Sequence, residues 1–255
     1  MTVAAVIQAR MTSTRLPGKV LLPAAGREML AHQIDRVRRA HSIDTICIAT
    51  TTNATDDAVS ELATRDGVAV FRGSEHDVLG RFVAAAEHVG ADTVVRLTGD
   101  CPLTDPALID AVMAVFRSAD PAVDYATNSV PRTWPIGLDV EVASMVALRL
   151  ADRETDDPYD REHVTPFLYR QPKRFRIGRH LAPRDLSGYR WTLDERADYD
   201  LLVRILEALL PTKPAFGWRD VIALLDEHPD WRELNAGVGQ KQRRYEQPIA
   251  GDADD

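Results

Sequence analysis

"AAVIQARMTSTRLPGKVL", Ala4 to Leu21, opens as a nearly continuous apolar run and then gathers Arg10, Arg15 and Lys19 around hydroxyl side chains, a Pro and a Gly. The apolar run has the pattern of a strand covered on both faces. In an open parallel sheet, ligands sit outside the carboxyl ends of the strands. Three cations therefore stand at the ligand edge of a chain whose formal net charge is -8. Isolated loop cations are usually solvated. This loop, however, directly follows a buried strand and adds hydroxyls and backbone N–H groups, the other ingredients of a phosphate cradle. A P-loop does not fit, because GxxxxGK[ST] would need Gly at Ser13 and a hydroxyl residue at Val20. Nor does any GxGxxG follow the first strand.

Outward from this loop, strand-like and helix-like segments alternate. "GREMLAHQIDRVRRA" places Leu30, Ile34 and Val37 at helical spacing with cations toward its end. "DTICIATT" reads as a strand, "DDAVSELATRDG" as a helix stopped by Gly67, "VAVFRG" as a strand, "EHDVLGRFVAAAEHVG" as a helix ending at Gly90, and "DTVVRLTGD" as a strand. "DPALIDAVMAVFRSA" is one more helix. This alternation predicts right-handed crossovers and an α/β fold, three-layered, with a mostly parallel sheet. The stretch from Ala122 to Ser144, rich in Pro, Thr and aromatics, predicts loops and short strands packed over one end of the sheet. The C-terminal third predicts helices, which suggests a small added lobe. Residues 1–241 read as a single domain and 242–255 as a flexible tail without apolar period.

The totals set limits. With 255 residues, 45% hydrophobic and 27% charged, the chain has the composition of a globular protein with a substantial core. Its acidic balance argues against a nucleic-acid partner. Cys47 and Cys101 form no metal pattern and no disulfide framework. No apolar run reaches membrane-span length and no signal-peptide layout opens the chain, so the expectation is a cytoplasmic protein without a membrane partner.

Here a resemblance enters. "IQARMTSTRLPGKVL" resembles the N-terminal signature of the cytidylyltransferases that make CMP-activated acidic sugars. These include the CMP-3-deoxy-manno-octulosonate and CMP-acylneuraminate synthetases and the spore-coat polysaccharide SpsF-like branch. The likeness is greatest to the SpsF-like branch and continues through "RGSEHDVLGRF", "VVRLTGDCPLTDP", "RTWPIGLDVEV", "REHVTPFLY", "WTLDERADYDLL" and "HPDWRELN". It implies a Rossmann-like nucleotide-diphospho-sugar transferase fold and a loop, with Ala9, Arg10, Ser13, Arg15 and Lys19, that binds CTP. Arg10 and Lys19 would contact the phosphates and act catalytically with Asp100. A guanidinium suits bidentate contact with phosphate oxygens and an ammonium acts as a point charge.

A triphosphate usually brings Mg²⁺, which takes only one or two protein carboxylates. Asp100, ending a strand beside Gly99, is one candidate, though an Asp before Pro102 is also a common turn former. Asp194 matches the family's second metal-binding aspartate, but "LDERA" reads equally as a helix N-cap. Asp198 reads as a first-turn charge. Arg72 is assigned near the cytidine or its ribose. Arg132, Asp139, Glu141, Arg161 and His163 are assigned to the sugar side, with a structural role the usual one for a lone His. "TGDCP" departs from the "QGDEP" of the octulosonate synthetases, so their base and sugar specificity does not carry over.

The expected reaction is transfer of CMP from CTP to an acidic or amino sugar, for surface polysaccharide or glycoconjugate synthesis, with a homodimer implied by the related synthetases. Three alternatives stay open: a sugar-1-phosphate nucleotidylyltransferase using another NTP, a metal-dependent glycosyltransferase using Asp139 and Glu141 as a DxD-like pair, and a non-catalytic nucleotide-binding module.

Overall fold

The computed structural model describes residues 1–118 and 121–239. The stretch 242–255, expected as a tail, lies outside the described residues. The first strand, β1 (Val3–Gln8), leads through the cationic loop and a short 3-10 turn (Lys19–Leu21) to a small hairpin of β2 (Pro23–Ala24) and β3 (Arg27–Glu28). Then follow α1 (Met29–Val37), β4 (Thr45–Thr51), α2 (Asp57–Arg65), β5 (Ala69–Gly73), α3 (Val78–His88), β6 (Thr93–Thr98) and α4 (Pro106–Ser118). Beyond these lie β7 (Tyr125–Thr127), β8 (Glu141–Ser144), α5 (Met145–Glu154), α6 (Pro158–His163), α7 (Pro166–Tyr169) and β9 (Ile177–Arg179). The described chain ends in α8 (Arg196–Leu209), α9 (Trp218–Glu227) and α10 (Pro229–Arg232).

One seven-stranded sheet runs in the order β5-β4-β1-β6-β8-β7-β9. Only β8 is antiparallel to its neighbours. The apolar runs read from the sequence are buried on both faces because the pleat sends alternate side chains to opposite sides. Val3, Ala5 and Ile7 of β1 enter one core with α1, α4, α8 and α9, while Ala4 and Val6 enter the other with α3 and α5. β4 and β6 divide in the same way, with Ile48 and Val95 in the first core and Cys47 and Val94 in the second. The layers are therefore helix, sheet, helix, as expected.

The segment 122–144 differs from its expectation. Its strands do not pack over the sheet but extend it, with β8 paired to β6 and β7 on its far side. Strands of three or four residues are too short to show alternation, and their membership is decided by register: Arg96 pairs with Glu141 and Thr93 with Ser144.

The crossovers leave β1 in opposite senses. α1 carries the chain to β4 on one side of β1, and β6 returns on the other. The ends of β1 and β6 thus flank a topological switch point, the crevice where such sheets bind ligands.

Ile7 is fully buried at the centre of this arrangement. Ile7→Ala should lower unfolding stability by about 2–5 kcal/mol, the range for large-to-small core changes, read from urea denaturation midpoints at unchanged slope.

Candidate active site

The cationic loop is held in shape by its own backbone and by one buried carboxylate. Gly18 adopts φ 71°, a left-handed conformation that suits glycine, and sets the turn that begins at Lys19. The Gly18 and Ser13 amides donate to the Met11 carbonyl at 3.0 and 2.9 Å. Asp56, fully buried, accepts from the Met11 amide at 2.7 Å and from the Thr51 hydroxyl, tying the loop to the end of β4. No local sequence signal marks Asp56 for this task, since Met11, the partner that ties it to the loop, lies 45 residues away in the chain.

Opposite the loop, Gly99 follows β6. A Cβ at this position would stand 2.8 Å from the Ala9 Cβ and 3.0 Å from the Gln8 carbonyl oxygen. The absence of a side chain lets the two strand ends close up, and the Gly99 amide donates to the Gln8 carbonyl at 2.8 Å. Asp100 is thereby fixed beside Lys19. The Lys19 ammonium donates to Asp100 Oδ2 at 2.9 Å and to Asp194 Oδ1 at 2.8 Å.

Asp194 is not the N-cap. Glu195 holds that position for α8, and the Asp198 carboxylate accepts from the Asp194 and Glu195 amides at 3.0 and 3.1 Å. The Asp194 side chain is left to meet Lys19, Arg15 at 2.9 Å and Arg190 at 3.0 Å. Asp198 does more than balance a helix terminus: it is fully buried and also binds Arg190 and the Asn235 amide. Asn235, in the resembling motif "HPDWRELN", thus supports the Asp194 segment from behind, a role that needs the fold to be seen.

Two joined chambers open at this point. The first, about 240 Å³, is lined by Ala9, Arg10, Ser13, Arg15 and Lys19 among others. The second, about 280 Å³, is lined by residues including Asp139, Glu141 and His163. Asp100, Asp194 and Arg15 border both. Five of the six residues assigned to the nucleotide therefore share one chamber. Arg72 does not: its guanidinium donates to Asp57 and to the Thr51 and Asn53 carbonyls at 2.6 to 2.8 Å, away from the cleft. The residue of that segment that meets the cationic loop is Glu75, which accepts from the Thr12 hydroxyl at 2.6 Å.

On the sugar side, Arg132 does not line the chamber but grips both oxygens of Asp139 at 2.7 Å from behind. Arg161 is also outside it, bound to Asp77 and Asp152. Glu141 is buried, accepting from Tyr125, Thr165 and Arg96. Asp139 and Glu141 are thus held by neighbouring donors rather than presented together as a metal-binding pair.

Charge in the cleft is strongly coupled. Burial opposes the Lys19 charge, but attraction to Asp100 and Asp194 prevails and its pKa is raised. Burial would likewise raise the Asp100 carboxyl. Lys19, with hydrogen bonds from Thr98 and Cys101, more than reverses this and holds it at about 2. The Cys101 thiol is pushed well above its ordinary value by burial and by Asp100.

Among the described residues, no group of three or more His, Cys, Asp and Glu side chains could hold a metal ion. Two carboxylates do converge on one cation, the Lys19 ammonium. That donor set fits Mg²⁺, which prefers one or two protein carboxylates with water and phosphate completing the shell. No described helix is long and apolar enough to cross a membrane.

Comparison with known proteins agrees with this geometry. Residues 4–211 match the family model described as cytidylyltransferase. The chain is 35% identical over 233 residues to the spore coat polysaccharide biosynthesis protein SpsF of Bacillus subtilis, covering 88% of this chain and 94% of that protein. It is 35% identical over 129 residues to the 3-deoxy-manno-octulosonate cytidylyltransferase of Geobacter sulfurreducens, 50% of each chain. The solved structure of a cytidylyltransferase from Leptospira borgpetersenii superposes with a TM-score of 0.87 at 32% identity, covering 95% of this chain and 100% of that one.

The depressed Asp100 pKa has a pH consequence. Its ionised form contributes stability that is fully present above the unfolded value of about 4 and is lost as pH falls through about 2. The stability difference between the parent protein and Asp100→Asn should therefore be largest above about pH 5 and shrink toward pH 2, as read from urea unfolding across that range.

Proposed function

The chain belongs to the cytidylyltransferase family, and on that premise we propose that it transfers CMP from CTP to a hydroxyl of an acidic or amino sugar, releasing pyrophosphate. The observation that carries this reading is the meeting of Lys19, Asp100 and Asp194 at the junction of the two chambers. The first chamber supplies cations, hydroxyls and backbone amides for the triphosphate, and the second takes the sugar.

In this reading the acceptor oxygen attacks the α-phosphorus from the second chamber while pyrophosphate departs along the first. The protein's part is to align the two reactants and to neutralise charge on the phosphates. Arg10 and Arg15 would grip phosphate oxygens, and Lys19 would meet the charge that grows on the departing pyrophosphate. Asp100, held at about 2, stays ionised at neutral pH and is too weak a base to take the acceptor's proton; its role is that of a fixed negative charge. Asp100 and Asp194 would hold Mg²⁺, which when bound supplies charge stabilisation at the phosphates.

A metal-dependent glycosyltransferase using Asp139 and Glu141 has less support. Both oxygens of Asp139 accept from Arg132, and both oxygens of Glu141 accept from its neighbours. That reading also leaves Arg10 and Lys19 without a task.

The test is pyrophosphate release with each of the four NTPs and a sugar panel. CTP-dependent release supports the reading, and release with another NTP alone overturns it. Lys19→Met and Asp100→Asn should each lower the rate on the order of 10²–10³-fold in protein that is still folded by circular dichroism, although less stable than the parent. In the absence of nucleotide, Lys19→Met should also bind Mn²⁺ more tightly by calorimetry, because the ammonium no longer competes for the two carboxylates.

A further inference from the structure

The second chamber takes part of its lining from the sheet itself. Alternation along β1, β6 and β8 carries the face of Val6, Val94 and Ala143 on to Gln8, Arg96 and Glu141, all three of which line the chamber. Arg96 lies between β1 and β8, opposite Val6 on one side and Glu141 on the other.

Each carboxylate of this chamber has a cation within hydrogen-bond distance. Asp100 has Lys19, Asp139 has Arg132, Glu141 has Arg96, and Asp194 has Lys19, Arg15 and Arg190. The lining is therefore compensated charge by charge, and Mg²⁺ on Asp100 and Asp194 would add positive charge to it. An anion can enter such a space, and its seat is decided by which donor can leave its present partner.

Most of the cations are held by carboxylates. Arg190 donates to Asp198 and Asp194 at 2.9 to 3.0 Å, and Arg15 pairs with Asp194 and Glu195. Arg132 grips both oxygens of Asp139 from behind, and Lys19 sits between Asp100 and Asp194. Arg96 is held differently. Its Nη1 donates to Glu141, whose other oxygen accepts from Tyr125 and Thr165. Its Nε is buried without a partner. Among the described residues its Nη2 donates only to the Gln8 side-chain oxygen, a neutral acceptor, at 3.3 Å, just beyond the usual N–H···O range.

To recruit Arg15, Arg132, Arg190 or Lys19, an incoming anion must displace a carboxylate. At Arg96 it displaces one long bond to an amide. A guanidinium bonds an ionised oxygen at shorter range and about twice as strongly as a neutral one. The Gln8 amide nitrogen is a donor that can then meet the second oxygen of the same carboxylate. The Arg96 side chain is 14% exposed and that of Glu141 5%, so the chamber reaches the guanidinium of this pair more than the carboxylate.

We propose that Arg96, through Nη2 and with Gln8 as its exchangeable partner, seats the carboxylate of a sugar-acid acceptor in the second chamber. This rests on the CMP-transfer reading and makes Arg96 a specificity-determining residue for it.

The experiment is calorimetric titration of the protein saturated with Mg²⁺ and the α,β-methylene analogue of CTP. Hexuronates and ulosonates are each compared with the counterpart whose carboxyl is reduced to a primary alcohol. At least one acid should bind about tenfold or more tightly than its reduced counterpart, the scale of one hydrogen bond to a charged group. Arg96→Lys keeps a cation beside Glu141 but loses the second terminal nitrogen. Gln8→Glu leaves Arg96 in place and gives Nη2 an internal carboxylate. In each variant the ratio should fall toward one through weaker binding of the acid, with the reduced counterpart little changed. If Arg96→Lys does not fold, Gln8→Glu decides alone. A parent protein that binds no acid better than its reduced counterpart overturns the proposal. So does an unchanged ratio in either folded variant with the analogue bound, which leaves CMP transfer standing and the carboxylate seated elsewhere. Equal loss of acid and reduced counterpart overturns it too, since that makes the residue merely structural. Failure of the analogue to bind the parent protein overturns the CMP-transfer reading and this assignment with it.

Discussion

The Lys19 ammonium joins three parts of the chain that are distant in sequence: the loop after β1, the end of β6 and the segment before α8. Each carboxylate alone would be costly to hold in a partly closed cleft, and so would the ammonium. Together they compensate one another, and the compensation defines where a cation can sit. Much of the surrounding structure serves this contact. Gly18 sets the turn that delivers Lys19, Gly99 lets β6 approach β1 closely enough to deliver Asp100, and the buried Arg190–Asp198–Asn235 group fixes the backbone that carries Asp194.

The parts of this site legible in the sequence were those whose chemistry is local. A buried strand followed by Arg10, Ser13, Arg15 and Lys19 identifies an anion-binding edge, because strand burial and loop composition are both short-range signals. Asp100 is legible for the same reason, ending a strand next to Gly99. Arg72 stands near the end of a strand at the same edge, yet its guanidinium binds the Thr51 and Asn53 carbonyls and Asp57, groups at the end of β4 and in the segment after it. Only sheet pairing brings those acceptors to it. Asp56, Glu75 and Asn235 were missed on the same ground, as their partners lie in other segments. In the fold, the long buried strands and amphipathic helices were evident from periodicity. β7, β8 and β9, of three or four residues, carry too little pattern, and their place in the sheet depends on tertiary pairing.

The acidic whole and the basic loop are compatible because the cleft sorts charge over short distances. Lys19 and Arg15 lean on carboxylates that hold them in place, while Arg10 stays loosely paired at the rim. Deeper in, guanidiniums and carboxylates close on one another and leave a surface that is polar but internally balanced. The same residue types thus serve attraction at one end and shape at the other, and what separates the two uses is whether a partner is already within reach.

The reversed direction of β8 also bears on how the cleft is built. Because this strand runs against its neighbours, its first residue, Glu141, pairs with Arg96 near the edge where the parallel strands finish. The segment from Asn128 to Val140 therefore hangs over the cleft from the start of one strand and the end of another. Its ends are anchored, since Asn128 bonds the Leu138 carbonyl and the Val140 amide and Trp134, Leu138 and Val140 are buried in the core beside α1 and α8. One half of the cleft is built on the parallel ladder; the other is a returning segment that borrows the same core for its anchorage and presents Ile136, Gly137 and Asp139 to the chamber.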